Sequence, residues 1–179
     1  MPNLITFARL VLVPIVAYLI ISKSYAAAAI VFLIAALSDL ADGYIARRFN
    51  LVSKLGALLD PVADKLNMFV ATVTLALQDL LPIWLALAIV ARDIAIVAGV
   101  LAYRLRGRSL EMKPTRLSKV NTFLEFLVLL LVLLSAARFI APAIRLSPLF
   151  LVVLATVLAS AGQYAWLWSR GRLASHPRR

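Results

Sequence analysis

Four aspartates carry the chemical signal of this sequence. Asp39 and Asp42 are three residues apart and Asp60 and Asp64 four apart, so on helices each pair shares one face. They are half of the eight acidic residues in the chain. Carboxylates gathered this way repel one another unless cations hold them, and hard divalent ions take oxygen ligands. Cysteine is absent, and the one histidine, His176, lies in the terminal stretch Ser175-His176-Pro177, so oxygen donors are what the chain offers a metal. Magnesium or manganese is expected, and two such ions a few ångströms apart form a clamp suited to phosphoryl displacement. Gly43 and Gly56 lie beside the pairs, where a missing side chain lets a ligand or a neighbouring backbone approach. The competing reading is a structural ion-pair network with Arg47, Arg48, Lys54 and Lys65. Buried ion pairs barely repay their desolvation, which favours a site.

The elements that must position these residues are membrane helices. Of 179 residues 64% are apolar and 15% charged, against roughly 45–50% apolar in soluble domains. About 20 mostly apolar residues cross a bilayer, and six such stretches follow one another at 3–22, 25–49, 55–77, 81–105, 117–139 and 148–169. The expected fold class is all-α, an integral membrane bundle of six transmembrane helices in a single domain over 1–179. The first stretch has no small-residue cleavage pattern and reads as a retained helix with Pro14 as a candidate kink, and Pro82 suits a first helical turn. The aspartate pairs then fall at the end of the second helix and the start of the third. A short antiparallel turn between those helices lets the two faces meet.

The net charge of +11 belongs to this topology rather than to nucleic-acid binding. Arg47, Arg48 and Lys54, then Arg104, Arg106, Arg108, Lys113 and Arg116, then Arg170, Arg172, Arg178 and Arg179 all fall on one side of a six-helix arrangement. Lys23, Asp79, Arg138 and Arg145 fall on the other. Basic residues near helix ends mark the cytoplasmic side, so both termini and the aspartates are expected there. Trp84, Trp166 and Trp168 lie toward helix ends as interfacial anchors, and Ala26 to Ala29 with the small residues of the sixth helix permit close helix packing.

The stretch Asp39-Leu-Ala-Asp42-Gly43-Tyr-Ile-Ala46-Arg47, eight further residues, then Gly56-Ala-Leu-Leu-Asp60-Pro-Val-Ala-Asp64 resembles the signature of the CDP-alcohol phosphatidyltransferases, D-x2-D-G-x2-A-R-x8-G-x3-D-x3-D. No specified position departs from it. The resemblance implies that Asp39, Asp42, Asp60 and Asp64 hold the metal pair, with Asp64 also the base for the acceptor hydroxyl. It implies a nucleotide site of Asp39, Asp42, Gly43, Ala46, Arg47 and Gly56 for CDP-diacylglycerol. It further implies a homodimer in a bacterial or mitochondrial inner membrane, with the active site at the cytoplasmic or matrix face. With no cysteine and no Ser–His pair near the aspartates, direct in-line displacement without a covalent enzyme intermediate is expected.

The acceptor depends on other polar residues. The segment from Met112 to Thr122, Met-Lys-Pro-Thr-Arg-Leu-Ser-Lys-Val-Asn-Thr, resembles that of the eukaryotic-type, CMP-forming cardiolipin synthases, a branch of the family whose acceptor is phosphatidylglycerol. Pro2-Asn-Leu-Ile-Thr-x-Ala-Arg9 and Ala91-Arg92-Asp93 are shared more widely, including with phosphatidylglycerophosphate synthases, which use glycerol 3-phosphate. Arg92, Arg116, Lys119 and Asn121 are the candidate acceptor-binding residues. For Arg116 and Lys119 the alternative is topology-setting charge, for Arg92-Asp93 pairing within the bundle, and for Asn121 with Glu125 a polar bond between helices. A cation transporter or a non-catalytic scaffold are the readings from other classes. The acids gather at one end of two helices rather than along a pathway, and the intact signature argues against decay.

Overall fold

The computed structural model describes residues 2–48, 54–105, 115–140 and 146–169, and side chains over 10–38, 65–99, 115–140 and 146–166. Runs of Leu, Ala, Ile and Val, interrupted by Pro14 in α1 and Pro61 in α3, wind six long helices. They are α1 Pro2–Ile21, α2 Tyr25–Arg48, α3 Lys54–Leu77, α4 Ile83–Leu105, α5 Arg116–Ala136 and α6 Ser147–Ser169. Six helices are those the apolar stretches predict, with two differences at their ends. Pro82 stands just before α4 rather than within it, and α5 stops at Ala136 instead of continuing to 139.

The early stop of α5 has a backbone cause that recurs. Arg138 N–H donates to Ser135 O at 3.0 Å and Phe139 N–H to Leu134 O at 3.0 Å, the paired bonds of a Schellman turn. α1 ends the same way through Lys23 to Ile20 and Ser24 to Leu19, and α3 through Asp79 to Ala76 and Leu80 to Leu75. The residue that turns left-handed is usually glycine, yet here it is Lys23 (φ 59°), Asp79 (φ 56°) and Arg138 (φ 61°). Each Cβ costs about 1–2 kcal/mol in that conformation. A cation at a helix C-terminus returns about 0.3–1 kcal/mol of it.

The chain divides into two compact units. The first joins Met1–Pro82 with Leu129–Arg145, and in it α1 packs against both α2 and α3. Its interior holds Val13, Val16 and Ile20 of α1, Ala28, Phe32 and Ala35 of α2, and Met68, Ala71 and Leu75 of α3. The second joins Ile83–Val128 with Leu146–Arg179; α4 packs against α6 there, over Leu85, Ile89, Val153 and Val157. α5 gives its first part to the second unit and its last turns to the first.

The outward faces are as apolar as the interior. Tyr18 is 69% exposed, Leu37 54%, Leu77 71%, Leu87 62%, Phe123 63% and Leu158 61%. Where lipid is as apolar as leucine, close packing and interhelical hydrogen bonds hold helices together. The alanines at 28, 35 and 71 serve that packing. Among the described residues α5 and α6 are long and apolar enough to cross a membrane by length and composition.

Candidate active site

The four aspartates occupy two helices of the first unit. Asp39 and Asp42 lie toward the end of α2 and Asp60 and Asp64 toward the start of α3, and residues 49–53 join the two helices. Their side chains, with Gly43, Ala46, Arg47 and Gly56 beside them, lie outside the residues whose side chains are described. Helical register still tells which stripes they continue. On α2 the buried positions Ala28, Phe32 and Ala35 step by four and three residues to Asp39, Asp42 and Ala46. On α3 the buried positions Leu75, Ala71 and Met68 step back to Asp64, Asp60 and Gly56. Both aspartate pairs are thus spaced at helical steps from those buried positions.

α1 adds a cation that the sequence reading did not count as a site residue. Its buried stripe of Ile20, Val16 and Val13 steps back to Arg9, the one charged residue of that helix. Arg9 lies 12 residues from the end of α1 and Asp39 lies 14 from the start of α2, rises of about 18 and 21 Å at 1.5 Å per residue. The helices run antiparallel through a tight turn, so the two positions stand at similar height. A lone charge in an apolar helix is the signal that could have singled it out.

Asn67 is a second residue missed. It follows Asp64 by three and Asp60 by seven on the same side of α3, and its buried Oδ1 has no hydrogen-bond partner. An acceptor oxygen in that position suits a donor presented from the aspartate end of the helix.

The donor set fits a hard divalent ion. It is all oxygen, contains no thiolate or imidazole, and is carried on two successive helices of one unit.

The candidate acceptor residues belong to the second unit. Arg92 is 3% exposed, and its guanidinium donates to Asp93 Oδ1 at 2.7 Å, Ser118 Oγ at 2.7 Å and Ser160 Oγ at 2.9 Å, which ties α4 to α5 and α6. Its Nε is buried and has no partner. Asn121, fully buried, donates through Nδ2 to Glu125 Oε1 at 2.6 Å and accepts from Thr156 Oγ1 at 2.9 Å. Arg116 and Lys119 are exposed. Arg92 and Asn121 therefore join helices, whatever else they do, while the other two present free faces. The helix α6 partners Thr156 and Ser160, with Gln163 beyond, were legible only as polar residues at steps of four and three in an apolar helix. Gln163 Oε1 is buried without a partner.

Residues 1–167 match the model of the CDP-alcohol phosphatidyltransferase family, and the chain belongs to that family of membrane-bound, metal-dependent transferases. It is 41% identical over 181 residues to a cardiolipin synthase (CMP-forming)/mitochondrial hydrolase fusion protein of Schizosaccharomyces pombe, covering 92% of this chain and 30% of that protein. It is 36% identical over 179 residues to the human cardiolipin synthase (CMP-forming), covering 91% of this chain and 60% of the other. With the CDP-diacylglycerol–glycerol-3-phosphate 3-phosphatidyltransferase of Bacillus subtilis it shares 33% identity over 149 residues, 75% of this chain and 76% of that one. The chain thus spans less than two thirds of the length of the two synthases.

Proposed function

We propose that this chain transfers a phosphatidyl group from CDP-diacylglycerol to the hydroxyl of phosphatidylglycerol, giving cardiolipin and CMP. The observation that carries the reading is the complete signature from Asp39 to Asp64, borne on the last turns of α2 and the first turns of α3. Identity to two CMP-forming cardiolipin synthases supports the acceptor. In this reading the chain makes six membrane crossings with both termini on the cytoplasmic or matrix side of a bacterial or mitochondrial inner membrane, which the six apolar stretches and the one-sided basic residues support. The whole forms a single catalytic domain that pairs as a homodimer.

Asp39, Asp42, Asp60 and Asp64 hold the cations, two magnesium or manganese ions in this reading. When bound, the ions neutralise charge on the diphosphate oxygens of CDP-diacylglycerol. Gly43, Ala46 and Gly56 leave space for the cytidine nucleotide, and Arg47 meets its phosphates with Arg9 as a further cation at that end of the unit. Asp64 takes the proton of the acceptor hydroxyl as its oxygen attacks the phosphorus nearest the diacylglycerol. The new P–O bond forms as the bond to the CMP oxygen breaks, and CMP leaves with that electron pair. Arg116 and Lys119, exposed at the start of α5, receive the acceptor phosphate, and Arg92 and Asn121 support them from the buried networks of the same unit.

The test is CMP release by the purified chain with CDP-diacylglycerol and magnesium or manganese, comparing phosphatidylglycerol with glycerol 3-phosphate and using Asp64→Asn as control. Turnover with phosphatidylglycerol is expected. The similarity to the Bacillus subtilis enzyme sustains the second reading, phosphatidylglycerophosphate synthesis, which turnover with glycerol 3-phosphate alone would establish.

A further inference from the structure

At the end of the first unit away from the aspartates, a groove of about 390 Å³ opens between the turn that joins α1 to α2 and the end of α5. Lys23 and Arg138 line it together with Ser24 and Tyr25, and Ala26, Ala27, Ala136 and Ala137 supply the apolar part of its surface. From Tyr25 to Asp39 the chain rises about 21 Å along α2, so the groove is remote from the proposed chemistry.

The two cations are unusual in how they are held. Each occupies the left-handed position of a Schellman turn, φ 59° at Lys23 and 61° at Arg138, where glycine would be unstrained. Strain kept in two chain-distant turns that line one groove points to a use for the side chains. Neither is matched to a carboxylate among the described residues. Asp79, in the third turn of this kind, does not line the groove.

Charge selects the ligand. Two full cations, less about half a charge from each C-terminus of α1 and α5 and plus about half from the N-terminus of α2, leave about +1.5. A monoanionic phosphodiester complements that value. The hydroxyls of Ser24 and Tyr25 can serve any phosphate, whereas the alanine surface suits only a ligand that also brings apolar atoms, the glycerol and first acyl carbons of a lipid. We propose that Lys23 and Arg138 bind the phosphodiester of an anionic phospholipid in the leaflet opposite the active site. The leaflet, though not the site, rests on the six-crossing reading above.

The test is thermal unfolding of the full chain in neutral detergent, where orientation plays no part. The probe is phosphatidylmethanol, a monoanionic phosphodiester lipid without an acceptor hydroxyl, against phosphatidylcholine and inorganic phosphate. At about ten times its dissociation constant the probe should raise the Tm of the native chain by about 3–6 °C. Lys23→Gly/Arg138→Gly, which relieves the left-handed strain, should fold with an unchanged or higher Tm in detergent alone and lose the increment. Lys23→Gln/Arg138→Gln should lose it too, while Arg116→Gln/Lys119→Gln should keep it. An increment that survives in the glycine and glutamine variants overturns the proposal, as does an equal increment from phosphatidylcholine or from inorganic phosphate. Metal-dependent CMP release by the glycine variant should match the native chain, which separates this site from the catalytic one. If no acceptor supports CMP release in any form, the catalytic reading fails and the thermal increment still decides the groove.

Discussion

Replacing Ser160 with alanine probes how the second unit is held together. The Arg92 guanidinium is 3% exposed, and its Nη2 divides two hydrogens between Ser118 Oγ at 2.7 Å and Ser160 Oγ at 2.9 Å. Its Nε already lacks an acceptor. Ser160→Ala removes one charge-assisted bond and leaves a second buried N–H of the same cation unpaired. Such bonds contribute about 1.5–3 kcal/mol in soluble proteins, but polar contacts between membrane helices average about 0.6 and reach about 1.7 kcal/mol. The buried, charged donor places this one near the upper membrane figure, about 1.5 kcal/mol. At about 2–4 °C per kcal/mol for a chain of this size, the Tm should fall by about 3–6 °C. Tryptophan fluorescence during heating in detergent reads the change, since Trp166 lies on α6 and Trp84 on α4. Ser118→Ala should behave alike, and the double variant should lose more than the sum because Nη2 then has no acceptor. A fall below about 1 °C for both single variants would refute the claim that these hydroxyls hold the guanidinium.

Asp64→Asn should lower kcat for CMP release by about 10²–10⁴-fold while the protein still folds, and retention of a tenth of native turnover would remove Asp64 as the base. Chelation with EDTA should abolish turnover, with recovery on adding magnesium or manganese; turnover that persists after thorough chelation argues against a carboxylate-held metal. Arg116→Gln and Lys119→Gln, both at exposed positions, should leave the Tm within about 1 °C and raise the acceptor KM about tenfold without changing that for CDP-diacylglycerol. Asn121→Leu should destabilise by about 1–2 kcal/mol, because Glu125, 1% exposed, loses its amide donor while the Thr156 hydroxyl keeps Val153 O as acceptor, and an unchanged Tm would count against that network.

What the sequence determined by itself was whatever short-range spacing encodes. Six apolar runs became six helices because backbone groups away from water must bond within their own segment, which leaves a long apolar stretch few alternatives. The signature from Asp39 to Asp64 was legible because its chemistry needs carboxylates at helical spacing on two successive helices, and both lie within 26 positions. Tertiary structure decided the rest. Arg92 meets Ser160 across 68 residues and Thr156 meets Asn121 across 35, and no local pattern announces which hydroxyl will face which amide or guanidinium. It also decided which face of α1 is buried, since a helix apolar all round acquires an interior side only where Val13, Val16 and Ile20 meet their neighbours. The left-handed turns at Lys23 and Arg138 were hidden because their sequences contain no glycine. Schellman bonds and packing impose on those residues a conformation that their own side chains disfavour.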